Sequence, residues 1–474
     1  MQSTQGVSDI VRTLRNLGIT NIVDTTNDIT ASHTSNIAFF CTHKAKANNY
    51  DAKALELGAN AIIQITNSNS IMPYISISSW KDYTNLLKEF FPIQNLKIIG
   101  ITGTNGKTST AHFGATLCSL MQKKSATIGT NGICIYENGK IISQEKTSLT
   151  TTTCTKNHST LHNLTQQGVQ FIFMEASSIG IHQGRLDGIK FDVSCFTNFS
   201  QDHLDYHHTM DEYFAQKLRL FTEFTKINDN ETGLSVLNSE DRKSQEIVKF
   251  CKNIAFFGKS AKYDDILQSY EKNHSGFLLN FGNLQAQFNA SGNFQILNLM
   301  CIVHTLIFLG FKLEQIAMAI PKLLPPDGRM QSVVVGDITV IIDYAHTPDA
   351  LENVLKNIDG YKICVFGCGG NRDSTKRSIM GEIASKLSDY VIVTSDNPRF
   401  ERPDDIALEI ASGITKTNYE IILDRKSAIL HAIKICQKDG IVIISGKGSE
   451  DYQEINGERI SFSDIKVVKD IFPI

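Results

Sequence analysis

A surplus of charge of one sign is what this chain lacks. Its 46 lysines and arginines stand against 49 aspartates and glutamates, a formal net charge of −3, with no large basic block. Nucleic acid and anionic membrane surfaces call for a positive face, so neither is expected as a partner. Long apolar runs are also missing: no stretch approaches the ~20 residues that a membrane span needs. The opening Met1-Gln2-Ser3-Thr4-Gln5-Gly6 carries neither the basic region nor the apolar core of a secretion leader. Ten cysteines are present but scattered, mostly in apolar segments such as Lys362-Ile363-Cys364-Val365-Phe366. Cys364 and Cys368 have no second pair and no suitably spaced histidine, which excludes a zinc site of the usual spacing. Buried thiols in a reducing cytoplasm are the expectation. No tandem repeat and no low-complexity tract interrupts the chain.

At 474 residues the chain exceeds one compact core, and roughly two to four domains are expected. What is present centres on Leu96-Lys97-Ile98-Ile99-Gly100-Ile101-Thr102-Gly103-Thr104-Asn105-Gly106-Lys107-Thr108. The isoleucine-rich run reads as a strand buried on both faces of a parallel sheet. It breaks at Gly103-Thr104-Asn105-Gly106 and is followed by a helix from about Ser109 to Leu120. Strand, glycine-rich turn, Lys-Thr and helix make a phosphate cradle: backbone N–H groups point inward, Lys107 reaches terminal phosphates, and the Thr108 hydroxyl can ligate magnesium. The strict pattern has glycine where this chain has Ile101, so the loop is a variant. The competing reading is an ordinary Gly/Asn turn beside a surface lysine.

Before the loop, Ser35–Cys41 and Ala61–Ile65 read as strands, Asp51–Gly58 as a short helix ending in glycine, and Trp80–Phe90 as an amphipathic helix. After it, strands end in polar residues again and again. Val169–Met174 leads into Glu175 and Val193–Thr197 into Asn198-Phe199-Ser200-Gln201-Asp202-His203-Leu204-Asp205. Ile338–Ile342 leads into Asp343, Lys362–Phe366 into Gly367, Tyr390–Thr394 into Asp396, and Gly440–Ile444 into Gly446. Such units argue an α/β class with doubly wound sheets and ligand groups at the strands' carboxyl ends.

Glu175 and His203, at neighbouring strand ends, could ligate a divalent cation beside the nucleotide, with Lys217 in the helix Asp211–Phe221 close by. Singly, Glu175 could instead cap a helix, His203 fill a turn, and Lys217 face solvent. The cluster His203, His207 and His208 has no accompanying zinc-type motif. In the last third, Gly369-Gly370-Asn371-Arg372, Asp396-Asn397-Pro398-Arg399 and Gly446-Lys447-Gly448-Ser449-Glu450 follow three strands. The glycines allow backbone to approach a ligand closely. Two arginines and two acids at adjacent strand ends suit a zwitterion, guanidinium gripping carboxylate and acid gripping ammonium.

Jointly and in this order, Gly103–Thr108, Glu175–Ser178, Asn198–His207, Gly328-Arg329-Met330, Asp343-Tyr344-Ala345-His346-Thr347-Pro348, Asp396–Arg399 and Gly446–Glu450 resemble the Mur ligases of peptidoglycan synthesis. The resemblance implies three α/β domains: residues 1–95 gripping UDP, 96–327 a phosphate-loop ATPase with a mostly parallel sheet, and 328–474 a Rossmann-like domain presenting an amino acid. It implies an ATP-dependent ligase working through an acyl phosphate in the cytoplasm, as a monomer, in cell-wall synthesis that underlies cell shape and division. ATP contacts fall on Gly103, Thr104, Asn105, Gly106, Lys107, Thr108, Asn298, Arg329, Asp343 and His346. UDP-MurNAc-L-Ala-D-Glu contacts fall on Thr150, Thr151, Ser177, Gln183 and Arg185. Two magnesium ions are implied, with Thr108, Glu175, His203 and a carbamylated Lys217 as ligands; Lys107, Glu175, His203 and Lys217 form the catalytic set. Arg372, Asp396, Asn397, Pro398, Arg399, Gly446 and Glu450 hold the incoming amino acid. Members with Asp-Asn-Pro-Arg take meso-diaminopimelate, whose distal carboxylate pairs with the arginine; lysine-adding members lack that arginine, and folylpolyglutamate synthase is a relative on the same scaffold. Replacing an ammonium by a carboxylate inverts the partner required, so Arg399 is a physical discriminator. Ser449, Ile179, Gln295, Cys154 and Asp28-Ile29-Thr30 depart from the family pattern.

Overall fold

The computed structural model describes residues 6–31, 36–40, 47–66, 73–226, 232–259, 264–273 and 275–471. Residues 1–5, and Ser35 and Cys41 at the ends of the first expected strand, lie outside the described residues. Mostly parallel sheets follow one another along the chain. The first pairs Asn21–Val23, Ile37–Phe40, Ala61–Ile65 and Tyr74–Ile77 in chain order, all parallel. The helix Trp80–Phe90 starts at Ser79, whose hydroxyl accepts the Asp82 N–H at 3.1 Å. It buries Tyr83, Leu86 and Leu87 on this sheet, with the Tyr83 ring stacked on Phe40 at 3.6 Å. The helix expected from Asp51 begins earlier, at Ala47.

The central sheet has eight strands in the order Ile254–Phe257, Leu234–Asn238, Val193–Phe196, Lys97–Thr102, Phe171–Glu175, Ser125–Gly129, Gly132–Glu137 and Lys140–Glu145. The first six are parallel and the last two antiparallel. The phosphate-loop strand lies inside the sheet with cores on both faces: Ile99 and Ile101 enter one, Ile98 the other. That placement explains an apolar run with no alternation. Register sets Ile101 opposite Glu175 and Thr102 opposite Phe196, so the loop, Glu175 and Asn198 leave the sheet along one edge. The helix Met210–Arg219 does not continue regularly to Phe221 as expected; Leu220–Phe224 widens into a π turn, whose Leu220 carbonyl accepts from the Thr225 hydroxyl at 2.9 Å.

The last sheet runs Gln331–Val335, Ile338–Asp343, Ile441–Ser445, Lys362–Phe366, Tyr390–Val393, Tyr419–Ile421, antiparallel only at its first pair. Its carboxyl ends carry Asp343, Asp396 and Gly446, each within a few residues of a strand end. The three-stranded antiparallel sheet Ser269–Asn273, Gly276–Asn280 and Gln285–Phe288 was not expected, nor was the strand Gln331–Val335, nor were two hairpins on Asn-Gly turns. Gly132–Glu137 with Lys140–Glu145 turns on Asn138-Gly139 (φ 51° and 78°), and Tyr452–Ile455 with Glu458–Ser461 on Asn456-Gly457 (φ 52° and 82°). Asn-Gly with both residues left-handed is a strong local hairpin signal that the sequence does carry.

Candidate active site

The phosphate loop is shaped by what its glycines exclude. A Cβ on Gly103 would lie 1.9 Å from Thr197 Oγ1, and one on Gly106 (φ 85°) 2.3 Å from Asn298 Oδ1. Gly106→Ala is expected to raise the KM for ATP at least ~10-fold, about 1.4 kcal/mol; steady-state kinetics with ATP varied checks it, and an unchanged KM would contradict the reading. Gly106 caps the helix Lys107–Leu120, which therefore starts two residues before the expected Ser109. Lys107 Nζ donates to the Gly103 and Thr104 carbonyls at 2.9 and 2.8 Å. Burial lowers its pKa, against the pull of Glu175 and Asp202.

Thr108 Oγ1 donates to Glu175 Oε2 at 3.1 Å, and the Thr130 N–H donates to Glu175 Oε1 at 2.8 Å. The following helix, Ser178–His182, is capped by Ser177, so Glu175 is not its cap. Lys217 is 1% exposed and does not face solvent. Its Nζ donates to the Gly103 carbonyl at 2.7 Å and sits 4.4 Å from the Tyr213 ring centre. Burial, then the Lys107 charge, pushes its pKa well down despite Asp202. His203 has a left-handed backbone (φ 55°), and its Nε2 is 3.4 Å from Asp202 Oδ2. Burial holds its pKa at about 4, leaving a neutral ring with a lone pair to offer. His207 is spent elsewhere, 2.9 Å from Ser178 Oγ.

These groups open onto a cleft of about 350 Å³ between the central and last sheets. Thr104, Asn105, Gly106, Lys107, Thr108, Thr150, Glu175, Ser177, Arg185, His203 and Lys217 line one side. Arg329, His346, Arg372, Asp396, Asn397, Arg399, Gly446 and Glu450 line the other. Gly103, Thr151, Gln183 and Pro398 do not line it. Thr151 is wholly buried, its hydroxyl 2.8 Å from the Glu175 carbonyl and 2.9 Å from Ser177 Oγ. Gln183 accepts from Arg185 Nη2 and so braces a residue that does line the cleft. Gly370 meets protein rather than an open site: a Cβ there would fall 1.9 Å from the Pro398 carbonyl oxygen.

Asn298 and Asp343 face a second cavity of about 360 Å³ that shares Asn105, Gly106 and Arg329 with the cleft. Asp343 accepts the Met330 and Ala345 N–H groups at 2.8 and 2.7 Å, and burial raises its pKa. Its carboxylate shapes the chain around Arg329, which reaches Thr108 Oγ1 at 3.3 Å.

In the last sheet's loops, Arg399 takes φ 53°, donates Nη1 to the Gly370 carbonyl at 2.8 Å, and pairs through Nε with Glu454 at 3.3 Å. Sequence reasoning missed Lys447, although it lies inside a quoted motif. Wholly buried, it donates to Asn397 Oδ1 at 3.0 Å and Glu450 Oε2 at 2.9 Å, and lies 3.7 Å from Asp396. Asp202 and Lys376 were missed too. Asp202 lies 3.9 Å from both His346 Nε2 and Lys376 Nζ across the cleft. Burial works against its charge, but His203, His346 and Lys376 outweigh it and hold its pKa below the usual range. Asn105 to Asp349 (3.0 Å) and Arg372 to Asp205 (3.4 Å) tie the same two walls.

Elsewhere, burial pushes the His112 and His158 pKa values down to about 4 from 6.5. The unfolded chain then binds more protons between those values, so their contribution to stability is complete above pH 6.5 and is lost as pH falls towards 4. Thermal melts are expected to show a lower Tm at pH 5 than at pH 7; a flat Tm would contradict it.

The Mur ligase middle domain matches residues 101–306, and the Mur ligase, glutamate ligase domain matches residues 328–448. A Rickettsia bellii protein named UDP-N-acetylmuramoyl-L-alanyl-D-glutamate--2,6-diaminopimelate ligase is 37% identical over 450 residues, 91% of this chain and 92% of its own. A solved structure of a ligase of that name superposes with a TM-score of 0.62 at 30% identity, covering 95% of this chain and 94% of that one. The MurF ligase of Thermotoga maritima, solved with ADP, shares the fold with a TM-score of 0.65 at 17% identity, over 90% of this chain and 93% of that one. The chain therefore belongs to the Mur ligase family of ATP-dependent ligases.

Proposed function

We propose that this protein joins meso-diaminopimelate to the D-glutamate of UDP-MurNAc-L-Ala-D-Glu, with cleavage of ATP, in cytoplasmic peptidoglycan precursor synthesis, and that it works as a monomer. Residues 1–95 hold the UDP end, 96–327 the ATP, and 328–474 the amino acid. The observation that carries the amino-acid assignment is Arg399, held rigidly on the wall opposite the phosphate loop with Arg372, Asp396 and Glu450 in the same cleft. Two guanidinium groups and two acids match a substrate with two carboxylates and two ammonium groups. Lysine, with a distal ammonium, leaves Arg399 facing a like charge.

The residues divide the work. Gly103–Thr108 cradle the phosphates, and Lys107 exchanges the loop carbonyls it now bonds for a terminal phosphate. Asn298 in the second cavity is the adenine contact, with Arg329, Asp343 and His346 around ribose and phosphates. Thr150, Ser177 and Arg185 hold the muramoyl-dipeptide, with Thr151 and Gln183 bracing Ser177 and Arg185 from behind. The D-glutamate carboxylate attacks the terminal phosphorus and ADP leaves; the substrate amine then attacks the acyl phosphate, and the tetrahedral adduct releases phosphate. Excluding water between two tied walls protects the acyl phosphate from hydrolysis.

A hydroxyl donating to a carboxylate, with a neutral imidazole in the same cleft, is a hard oxygen and nitrogen donor set suited to magnesium. Thr108 would hold one ion, and Glu175, His203 and carbamylated Lys217 a second. Magnesium, when bound, neutralises charge on the transferred phosphoryl group. The test is ATP-dependent amide formation from the UDP-muramoyl-dipeptide with diaminopimelate, lysine and ornithine side by side. Diaminopimelate is expected to be preferred, and a strong lysine preference would overturn the assignment.

A further inference from the structure

At the amino end of the phosphate-loop strand, four lysines from separate segments converge on a cavity of about 660 Å³. Lys88 comes from the helix Trp80–Phe90, Lys97 opens the strand, and Lys190 and Lys226 flank the strand Val193–Phe196 and the π turn. The strand's six residues separate this cavity from Gly103 by about 20 Å at ~3.3 Å per residue, so it is not part of the cleft.

The charges here do not balance. Asp192 accepts from Lys97 at 3.1 Å and Lys226 at 2.8 Å, both on one oxygen, while its other oxygen takes the Ile98 N–H at 2.9 Å. Lys190 donates to the Glu223 carbonyl, which is neutral, and Lys88 and Lys190 are exposed. None of the residues lining the cavity is acidic. Beneath them His158, wholly buried, donates its Nε2–H to the Asp187 carbonyl at 3.0 Å, so its unpartnered Nδ1 carries a lone pair: the ring lines the cavity and reports on its occupancy but does not itself hold an anion. Like charges brought together around a cavity cost stability unless an anion enters. Ammonium groups are point donors on flexible stems and suit a tetrahedral dianion better than a planar carboxylate. Phe91, Ile93 and Ile189 add an apolar wall, and the space exceeds one phosphate.

We propose that this cavity is a second anion site, binding a phosphate group. Occupied, it bridges Lys88 of the first domain to Lys97, Lys190 and Lys226 of the second. The site is independent of which amino acid the ligase adds. The experiment is calorimetric titration of the full chain carrying Lys107→Ala, which weakens the phosphate loop, with inorganic pyrophosphate. One site is expected, weakened at least ~10-fold when Lys88→Gln and Lys190→Gln are added, with Tm not lowered, because both side chains are exposed and their removal relieves like-charge repulsion. In the unmutated chain the His158 ring resonances are expected to shift with the same titration. Loss of all binding with Lys107→Ala alone, equal binding with and without the two glutamines, or an unmoved His158 would overturn the proposal. Parallel titrations with inorganic phosphate and phenyl phosphate separate the sources: tighter phenyl phosphate assigns a phosphate ester, equal binding assigns free phosphate.

Discussion

Lys217→Ala is expected to lower kcat by on the order of 10³-fold or more, and short carboxylic acids such as acetate are expected to restore part of it. The chemistry starts from the free amine. Lys217 is 1% exposed, and burial and the Lys107 charge favour its neutral form. A neutral amine can add CO2, forming an N–C bond and losing a proton, so that a cation which would repel a metal becomes a carboxylate-like ligand. Its Nζ already points to the Gly103 carbonyl, beside the Thr108–Glu175 pair. Alanine removes this group but leaves a space that a small carboxylate can occupy. Turnover in the variant, with and without acetate, is the measurement; full activity without acetate would refute the carbamate role. A melt of the variant separates this from unfolding: an unchanged Tm with lost turnover assigns the loss to chemistry, since deleting the buried amine breaks only its contacts with the Gly103 carbonyl and the Tyr213 ring.

Arg399→Ala is expected to raise the KM for diaminopimelate ~100-fold, about 2.7 kcal/mol, with little change in the KM for ATP. The guanidinium is fixed before substrate arrives. The Arg399 N–H donates to the Glu454 carbonyl at 2.9 Å, the Asn456 N–H returns to the Arg399 carbonyl at 2.7 Å, and Nη1 is held by Gly370. A preset fork loses little entropy on gripping a carboxylate, so its deletion removes most of that contact. Varying each substrate in turn checks it. Equal rises in both KM values would take Arg399 out of the amino-acid pocket.

Much of this was readable in advance because one physical pattern repeats. Ile98–Ile101, Val193–Phe196 and Lys362–Phe366 are buried on both faces, so their apolar runs mark the strands, and polar residues after each run mark the ligand edge. What stayed hidden depends on contacts across the chain. Lys447 looks like any loop lysine until Asn397 and Glu450 close around it. Lys376 looks like a helix-start cation until Asp202 faces it from the other wall. Thr151 and Asp343 carry the right residue types in the right motifs, yet their hydroxyl and carboxylate are engaged by the protein itself. The strand Glu458–Ser461 has no apolar face to read; its hairpin is anchored by the bridge between Arg399 and Ile455.

Four non-glycine residues around the cleft hold left-handed backbones: His203 at 55°, Met330 at 51°, Asn371 at 52° and Arg399 at 53°. Side chains resist that conformation by roughly 1 kcal/mol or more each, asparagine least. Met330 is held there by its packing in the core of the last sheet, but selection for heat resistance alone would drift towards glycine at 203 and 399, and a library ranked by melting temperature would enrich dead enzymes. Directed evolution of this ligase has to score catalysis in every round, because at these positions the thermally fitter chain is the chemically poorer one.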